Sequence, residues 1–311
     1  MAVNVLSDSD LDRRRGRRSR RLEQYGLPLA FMAPGTLLIL ALVLLPSLYT
    51  VVLSFQNATL GGGSASWVGL ANYVAWLRTG AFVQALWLTL GYCAIAVVLE
   101  LLGGFTVALV LNERFWGRAV IQAVMLIPWV LPAISTANIW VWMLNPSYGI
   151  IDTSLMHLGL MKEPVLWLSS STLALPLVAM IRAWRDFSFV ALMLLAGIQA
   201  IPQELYEAAK VDGAGPLHRF WHVTLPGLRL VVVLAVMLQS IFAFNDFSIY
   251  LLTQGGPAQA SQVLALAIYQ QAFGASQFSY GAAGAVLTLL VLSVLVAVYL
   301  WLYVRNEREV T

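Results

Sequence analysis

Six long apolar segments constrain the fold of this chain more than any other feature of its sequence. A transmembrane helix needs about 20 predominantly apolar residues to cross the hydrocarbon of a bilayer, and each segment reaches that length. Hydrophobic residues make up 60% of the chain and charged residues only 11%, which is too few for the surface of a soluble protein. We therefore predict an all-α integral membrane protein with six transmembrane helices, near residues 27–54, 84–111, 119–144, 172–198, 227–253 and 279–304.

The distribution of Lys and Arg predicts the orientation of these helices. Residues 11–21, LDRRRGRRSRR, contain seven arginines ahead of the first segment. With the N-terminus in the cytoplasm, the inner parts carry 14 basic residues, whereas the outer loops carry only Arg78 and Lys162. Because cytoplasmic loops are enriched in Lys and Arg, we expect both termini in the cytoplasm. We interpret residues 1–25 as a cytoplasmic basic arm that contacts anionic lipid rather than nucleic acid, and 26–311 as the transmembrane domain.

Glu100 is an ionisable residue in the middle of the second segment. Charged groups inside a membrane are costly and point to function by default, so Glu100 could be a proton site. It could also pair with a neighbouring helix and serve packing alone. We favour the packing role, because no second acidic residue lies at helical spacing from it, while the adjacent Gly103 and Gly104 allow another helix to approach closely.

The fourth and fifth segments each carry polar and aromatic residues on one helical face, at spacings of three, four and seven. Hydrogen-bonding groups beside aromatic rings suit a sugar, whose hydroxyls need partners and whose C–H faces need an apolar surface. Alternatively, Arg182 and Asp186 form an i, i+4 pair and Arg185 extends to the outer headgroups. The predicted substrate-lining residues are Arg182, Arg185, Asp186, Phe189, Gln239, Phe242, Asn245 and Asp246.

A long polar loop, residues 202–226, separates these two segments on the cytoplasmic side. Pro202 and Glu204 are typical of a helix start, and the run from Gly213 to Pro216 allows a sharp bend. The pattern predicts two short helices that project from the bundle and form a docking surface. We call residues 202–226 the coupling loop.

The coupling loop resembles the EAA loop of permease subunits of ATP-binding-cassette (ABC) importers. The match consists of Glu207-Ala208-Ala209, then Gly213, then Leu225-Pro226, and the fuller string is similar to the carbohydrate-uptake branch. The element WVGLANY at 67–73, Ser54-Phe55 and Gly255-Gly256-Pro257 also resemble that branch. The WVGLANY element favours the F-like subunit of the maltose/trehalose type over its G-like partner. The resemblance implies a type I ABC importer permease architecture and assigns ATPase coupling to Glu207, Ala208, Ala209, Asp212, Gly213, Leu225 and Pro226.

The resemblance also implies a function and a set of partners. The chain would be a transport subunit rather than an enzyme, and would pass a sugar across a bacterial plasma membrane by alternating access. Its partners would be a second EAA permease subunit in a heterodimer, two ATPase subunits and an extracytoplasmic substrate-binding protein. ATP and Mg would bind to the ATPase, so we expect no cofactor on this chain.

Several motifs of other function classes are absent from the sequence. There is no G-x-x-x-x-G-K-[ST] loop for nucleotide phosphates, no H-E-x-x-H and no G-x-S-x-G. His218 and His222 share a helical face, but two histidines without a third ligand do not predict a metal site. The single Cys93 permits no internal disulfide. Two alternatives remain: an importer of the same architecture for glycerol phosphate or another polar solute, and an ion-coupled transporter using Glu100, Asp186 and Asp246.

Overall fold

The membrane-spanning part of the protein is a bundle of helices. The computed structural model describes residues 27–58 and 66–308, so the basic arm predicted at 1–25 lies outside the described residues. In the described part, three helical stretches are each long and apolar enough to cross a membrane, and three bent helix pairs bring the number to six if each pair is one span. This agrees with the six helices expected from the sequence.

Three of the spans are long helices, as predicted. The first consists of α1 (Leu27–Ile39), a π-helical turn (Leu40–Leu44) and α2 (Leu45–Ser54). The second is α4 (Ala81–Asn112), and the last is α15 (Phe278–Arg308). The apolar window of the first span, Ala30–Ser54, is not buried by the rest of the chain. Apolar side chains on the outside of the bundle are expected where lipid rather than water surrounds a helix.

The third span is not the continuous helix that we predicted at 119–144. It consists of α5 (Arg118–Val130) and α6 (Ala133–Met143), which meet at an angle of 94°. The bend lies at Leu131, which has an extended ψ of 134°, and at Pro132. Proline disfavours the helical conformation of the residue before it and has no N–H for the helical ladder, so the break follows from the sequence Leu131-Pro132.

The fifth span, predicted at 227–253, is also interrupted. Its two parts are α12 (Arg229–Phe244) and α13 (Ser248–Thr253). Between them, the side chain of Asp246 accepts a hydrogen bond from the backbone N–H of Ser248 at 2.9 Å. A short acidic side chain that bonds to its own backbone competes with the helical ladder, and this places the break at Asp246.

The fourth span, α8 (Ala174–Ala200), packs against α4, α5 and α12. It runs along α4, and the approach is close: a Cβ at Gly104 would lie 2.7 Å from a methyl group of Val190. Gly104 therefore has the packing role that the sequence suggested. Two buried clusters form the core, one around Tyr92 and Phe244, the other around Leu111 and Leu194.

The coupling loop joins α8 to α12 as a helical hairpin. It consists of α9 (Gln203–Val211), α10 (Pro216–Arg219), a π-helical turn (Phe220–Thr224) and α11 (Leu225–Gly227). The predicted pair of short helices divided near Gly213 is confirmed. Pro226, however, lies within α11, and the long helix begins three residues later, at Arg229.

Short elements cover the other end of the bundle. Two short strands pair antiparallel, with Gln56 opposite Trp67. In the predicted WVGLANY element, the Asn72 amide donates hydrogen bonds to the carbonyls of Ser54 and Gln56. Trp76 stacks on Tyr280 at 4.6 Å, which ties this end to α15. The remaining elements are β1 (Gln56–Asn57), β2 (Ser66–Trp67), α3 (Ala71–Arg78), α7 (Ile150–His157), a 3₁₀ turn (Pro257–Gln259), α14 (Leu264–Tyr269) and a π-helical turn (Gln270–Gly274).

Candidate functional site

A cavity of about 750 Å³ lies where the two broken spans meet α8. One wall comes from the α5–α6 break, one from α8, and one from α12, α13 and the residues between them. All eight residues predicted to line a substrate path border this cavity. Its lining consists of Trp129, Leu131, Ala133, Ile134, Arg182, Arg185, Asp186, Phe189, Gln239, Phe242, Asn245, Asp246, Phe247, Ser248 and Leu251.

The floor of the cavity is a buried network of charges centred on Arg182. The guanidinium of Arg182 lies 3.2 Å from a carboxylate oxygen of Glu100, 3.3 Å from one of Asp186 and 3.2 Å from one of Asp246. It also donates a hydrogen bond to Gln239 at 3.3 Å. Three helical segments and the break before α13 are thus joined through one side chain that is only 3% exposed.

Asp246 holds two further bonds in this network. The Tyr92 hydroxyl donates to its Oδ2 at 2.6 Å, and the Ser248 N–H donates to its Oδ1. Removing one member of a buried ion pair leaves the other charge uncompensated and typically costs about 3–5 kcal/mol. The network therefore fixes the position of the α12–α13 break relative to α8 and α4.

Arg185 is neutralised by its neighbour along the chain. Its Nε and Nη2 donate to the two carboxylate oxygens of Asp186 at 2.7 and 3.0 Å. This two-bond geometry is the strong form of the Arg–carboxylate pair. The structure thus pairs Arg185 with Asp186, and the alternative i, i+4 contact between Arg182 and Asp186 is also present.

The side chains that face the open cavity are mainly aromatic. Phe242 is 52% exposed and Trp129 is 47% exposed, and Asn245 is exposed beside them. Trp129 stacks on Phe189 with ring centroids 5.8 Å apart and planes at 20°. Broad ring faces next to an amide give the cavity an apolar platform with a hydrogen-bonding group at its edge.

Burial therefore divides the eight predicted residues into two groups. Arg182, Asp186, Gln239 and Asp246 are buried and bonded to one another or to the rest of the network. The other four, Arg185, Phe189, Phe242 and Asn245, keep part of their surface free. A role of any of the eight in substrate contact stays a prediction, and the second group has the surface for it.

Sequence reasoning missed three participants in this site. Trp129 and Phe247 line the cavity, and Tyr92 supports Asp246. The available signal for Trp129 was its position two residues before Leu131, at the break that forms one wall of the cavity. Glu100 was singled out, and the expected pairing with a neighbouring helix is what the structure contains.

The coupling loop exposes the residues that the sequence assigned to docking. Glu207 and Ala208 are exposed on α9 and Ala209 is partly buried, and Glu207 accepts a hydrogen bond from Gln203 at 3.1 Å. Asp212 and Pro226 are exposed, and Leu225 is half-buried. The bend itself depends on Gly213, whose φ of +77° is the left-handed conformation that glycine adopts without strain.

An apolar surface surrounds these residues. Val211 is 88% exposed, Leu217 72%, Trp221 56% and Leu205 52%. Exposed apolar side chains on a polar hairpin indicate an interaction surface. Inside the hairpin, the Tyr206 hydroxyl and the Thr224 hydroxyl are hydrogen-bonded at 3.0 Å, which holds its two arms together.

The described residues contain no group of three or more His, Cys, Asp or Glu side chains arranged to hold a metal ion. The rings of His218 and His222 stack, with centroids 3.9 Å apart. Face-to-face imidazoles do not aim their nitrogens at a common point, so this pair is not a chelating arrangement in the structure.

A membrane bundle with a central cavity between broken spans and an exposed helical hairpin defines a membrane permease. The chain belongs to the family of binding-protein-dependent transport system inner membrane components, which matches residues 100–311. The resemblance that the coupling loop suggested is thereby confirmed.

Curated relatives support the same family over most of the chain. It is 36% identical to the trehalose/maltose transport system permease protein MalF of Thermococcus litoralis, over 86% of this chain and 90% of that protein. It is 34% identical to the sulfoquinovosyl glycerol transport system permease protein SmoG of Agrobacterium fabrum, over 88% and 89%.

The fold is also that of a solved importer. A chain in the crystal structure of a bacterial alginate ABC transporter, in complex with an alginate pentasaccharide-bound periplasmic protein, superposes with a TM-score of 0.79. The alignment covers 90% of this chain and 94% of that chain at 20% identity. This similarity establishes the type I ABC importer permease fold.

Proposed function

We propose that this chain is the transmembrane subunit of an ATP-driven importer that translocates a sugar, either a disaccharide or an oligosaccharide. The observation that carries the proposal is the cavity wall, where the exposed faces of Phe242 and Trp129 lie beside the amide of Asn245. Rings bind the C–H faces of a sugar, and the amide offers both a donor and an acceptor to hydroxyls. Relatives named for trehalose, maltose and sulfoquinovosyl glycerol transport support this substrate class.

The proposed importer also contains partner proteins that are separate chains. Two ATPase subunits bind ATP and Mg and dock on the coupling loop, a second permease subunit completes a heterodimer, and an extracytoplasmic protein delivers the sugar. The exposed apolar residues around Glu207 support ATPase docking. The fold neighbour in complex with a periplasmic binding protein supports the delivering partner. The family of inner membrane components supports a location in the bacterial plasma membrane, and the Lys/Arg distribution supports both termini in the cytoplasm.

The connections of the coupling loop suggest how ATPase movement reaches the cavity. Helix α9 follows α8 after only Ile201 and Pro202, and α11 precedes α12 by only the buried Leu228. Both α8 and α12 line the cavity. A displacement of the hairpin is therefore passed to two cavity walls at once, and alternating access results if the ATPase binds the inward and outward forms with different affinities.

A panel experiment tests the proposal. The chain is purified with the products of its neighbouring genes and reconstituted, and ATPase stimulation is measured for disaccharides, oligosaccharides, glycerol 3-phosphate and amino acids in the presence of the binding protein. We expect stimulation by one or more sugars. Stimulation by an amino acid alone, or uptake that follows an ion gradient without ATP, would refute the proposed function.

An importer of the same architecture for an anionic solute is the second candidate. Arg185 borders the cavity with 16% of its side chain exposed, and a guanidinium there could meet a phosphate or sulfonate. Its two bonds to Asp186 weigh against this, because the pair already compensates the charge. Stimulation by glycerol 3-phosphate in the same panel would favour the anionic solute.

A further inference from the structure

A second cavity, separate from the one described above, lies where the coupling loop meets the ends of the spans. Its volume is about 1140 Å³. The last turns of α4 and α8 form one side, and α9, α10 and the π-helical turn form the other. Leu109 and Ile198 lie on the first side, and Lys210, Arg219 and Phe220 lie on the second.

Two cations border this cavity without a partner among the described residues. Arg219 is partly buried, and its Nε is shielded from solvent and has no hydrogen-bond acceptor. Neither Arg219 nor Lys210 takes part in an ion pair within residues 27–58 and 66–308. The lining contains one carboxylate, Glu113, which is exposed at the end of α4. A shielded guanidinium nitrogen without an acceptor is costly, so the cavity is suited to an anion.

The other residues that line this second cavity indicate which kind of anion it can bind. Leu109, Ile198 and Phe220 give the cavity an apolar side, and Tyr206, whose hydroxyl is hydrogen-bonded to Thr224, also lines it. The volume exceeds the roughly 300–1,000 Å³ of ordinary small-molecule pockets, so it is too large for a simple ion. A guanidinium matches the geometry of a phosphate, and Lys adds a point charge. These features suit an amphipathic ligand with a phosphate at one end.

The position of the cavity identifies the source of such a ligand. It is bounded by Asn112 and Ala200, the last residues of two spanning helices, and headgroups lie at the depth where such helices end. We propose that this cavity binds the phosphate headgroup of an anionic phospholipid, held by Arg219 and Lys210. With the coupling loop in the cytoplasm, as in the proposed function, the lipid comes from the inner leaflet.

The proposed lipid site lies between the end of α8 and the coupling loop. The lipid would contact the end of α8 and, through Lys210, the helix α9 that docks on the ATPase. Binding at that point ties the hairpin to the bundle, so the anionic lipid content of the membrane would tune the coupling between ATP hydrolysis and transport.

The test counts bound lipid directly and needs neither sugar nor ATP, so it is independent of the proposed transport function. The assembled transporter is reconstituted in nanodiscs of phosphatidylcholine with or without phosphatidylglycerol, and native mass spectrometry counts the phosphatidylglycerol retained per complex. The same spectra report whether the subunits remain assembled. A parallel titration with inorganic phosphate asks whether a soluble anion binds instead.

We expect the wild-type complex to retain phosphatidylglycerol selectively, and Arg219→Gln and Lys210→Gln each to weaken retention about tenfold or more, the loss typical of one charge-assisted hydrogen bond. Arg114→Gln is the matched control, because Arg114 is a basic residue exposed after α4 that does not line the cavity. If the Arg219→Gln chain does not assemble into the transporter, the retention measured with Lys210→Gln decides the test.

Three results would overturn the proposal. Retention that survives both cavity variants places the lipid elsewhere. An equal loss with Arg114→Gln shows general surface electrostatics rather than a site. Binding of inorganic phosphate without retention of phosphatidylglycerol shows that the occupant is a soluble anion and not a lipid.

Discussion

Burial separates two kinds of residue that look alike in the sequence. Asn245 and Asp246 are adjacent and both polar, yet Asn245 is exposed to the cavity whereas Asp246 is 9% exposed and bonded to Arg182, Tyr92 and Ser248. A side chain whose acceptor atoms are already bonded gains little from a sugar hydroxyl. At the residue scale, substrate contact and support of the cavity are therefore separate tasks with separate tests.

Phe242→Ala tests substrate contact. The ring is 52% exposed and lines the cavity, so its removal takes away a stacking surface worth about 0.5–1.5 kcal/mol, or roughly 2- to 10-fold in affinity. We expect sugar uptake by the reconstituted complex to fall by that factor while basal ATPase activity and assembly are unchanged. Phe31→Ala is the control, because Phe31 is 78% exposed on α1 outside the cavity. Unchanged sugar uptake with Phe242→Ala would show that the Phe242 ring does not contact the transported sugar.

Asp246→Asn tests support of the cavity. Asparagine keeps the size, and its oxygen can still accept the Ser248 N–H, but its NH2 group at the Oδ2 position cannot accept from Tyr92 or Arg182. The change therefore removes the negative charge and the acceptor that those two side chains share. Breaking a buried pair costs about 3–5 kcal/mol, and we expect a lower midpoint of thermal unfolding for the solubilised complex. The neighbouring Asn245→Ala should leave the midpoint unchanged. If Asp246→Asn lowers uptake without affecting the midpoint, Asp246 contacts substrate directly.

At the scale of elements, the breaks in the helices create the cavity. An unbroken third span would carry α6 straight on from α5, whereas the turn brings Ala133 and Ile134 to the space beside α8 that they border. The 94° turn at Leu131-Pro132 and the interruption at Asp246 open that space and line it with residues from the broken ends. The coupling loop depends in the same way on one bend, at Gly213.

Two proline substitutions test whether the coupling loop needs the backbone conformation of this bend or only tolerates no proline there. Gly213 has φ +77°, which proline cannot adopt because its ring fixes φ near −65°. Gly215 has φ −67° and ψ 169°, which proline adopts readily, even before another proline. We expect Gly213→Pro to abolish uptake and to weaken copurification of the ATPase, with membrane insertion intact. Gly215→Pro should keep both.

Normal uptake by Gly213→Pro would show that the coupling loop does not need this bend. If both substitutions reduced uptake and ATPase copurification equally, the loop would need glycine for a reason other than its backbone conformation. Insertion is checked in each case by the yield of the chain in the membrane fraction.

At the scale of the whole molecule, this chain supplies a path and a docking surface, and the proposed energy source lies in other subunits. The sequence has no G-x-x-x-x-G-K-[ST] loop, so we expect the purified chain alone neither to bind nor to hydrolyse ATP. Equilibrium binding of a labelled nucleotide to the isolated chain measures this. The complete complex serves as the positive control, and saturable binding by the isolated chain, free of contaminating ATPase, would contradict the assignment of energy supply to a partner.

The sequence by itself determined the class of fold and the side chains available for function. Stretches of about 20 apolar residues have one stable solution in a bilayer, because every backbone polar group must be bonded within the segment, so six helices could be counted in advance. Local signals also sufficed for the coupling loop, where Pro202 and the glycine at 213 act on their own backbone. The eight cavity residues could be chosen because they recur at helical spacings in the two segments beside the coupling loop, although the structure places Asn245 and Asp246 in the break after α12.

Only the tertiary structure decided what those side chains do. Arg182 had Asp186 as its visible partner at i+4, but Glu100 and Asp246 come to it from 82 and 64 positions away along the chain, across two helix interfaces. Periodicity specifies which face a residue occupies and contains no information on which other face packs against it. Gly104 against Val190 and the two broken spans set that packing. The packing in turn buried Asp246 in the charge network and left Phe242 and Asn245 open to the cavity.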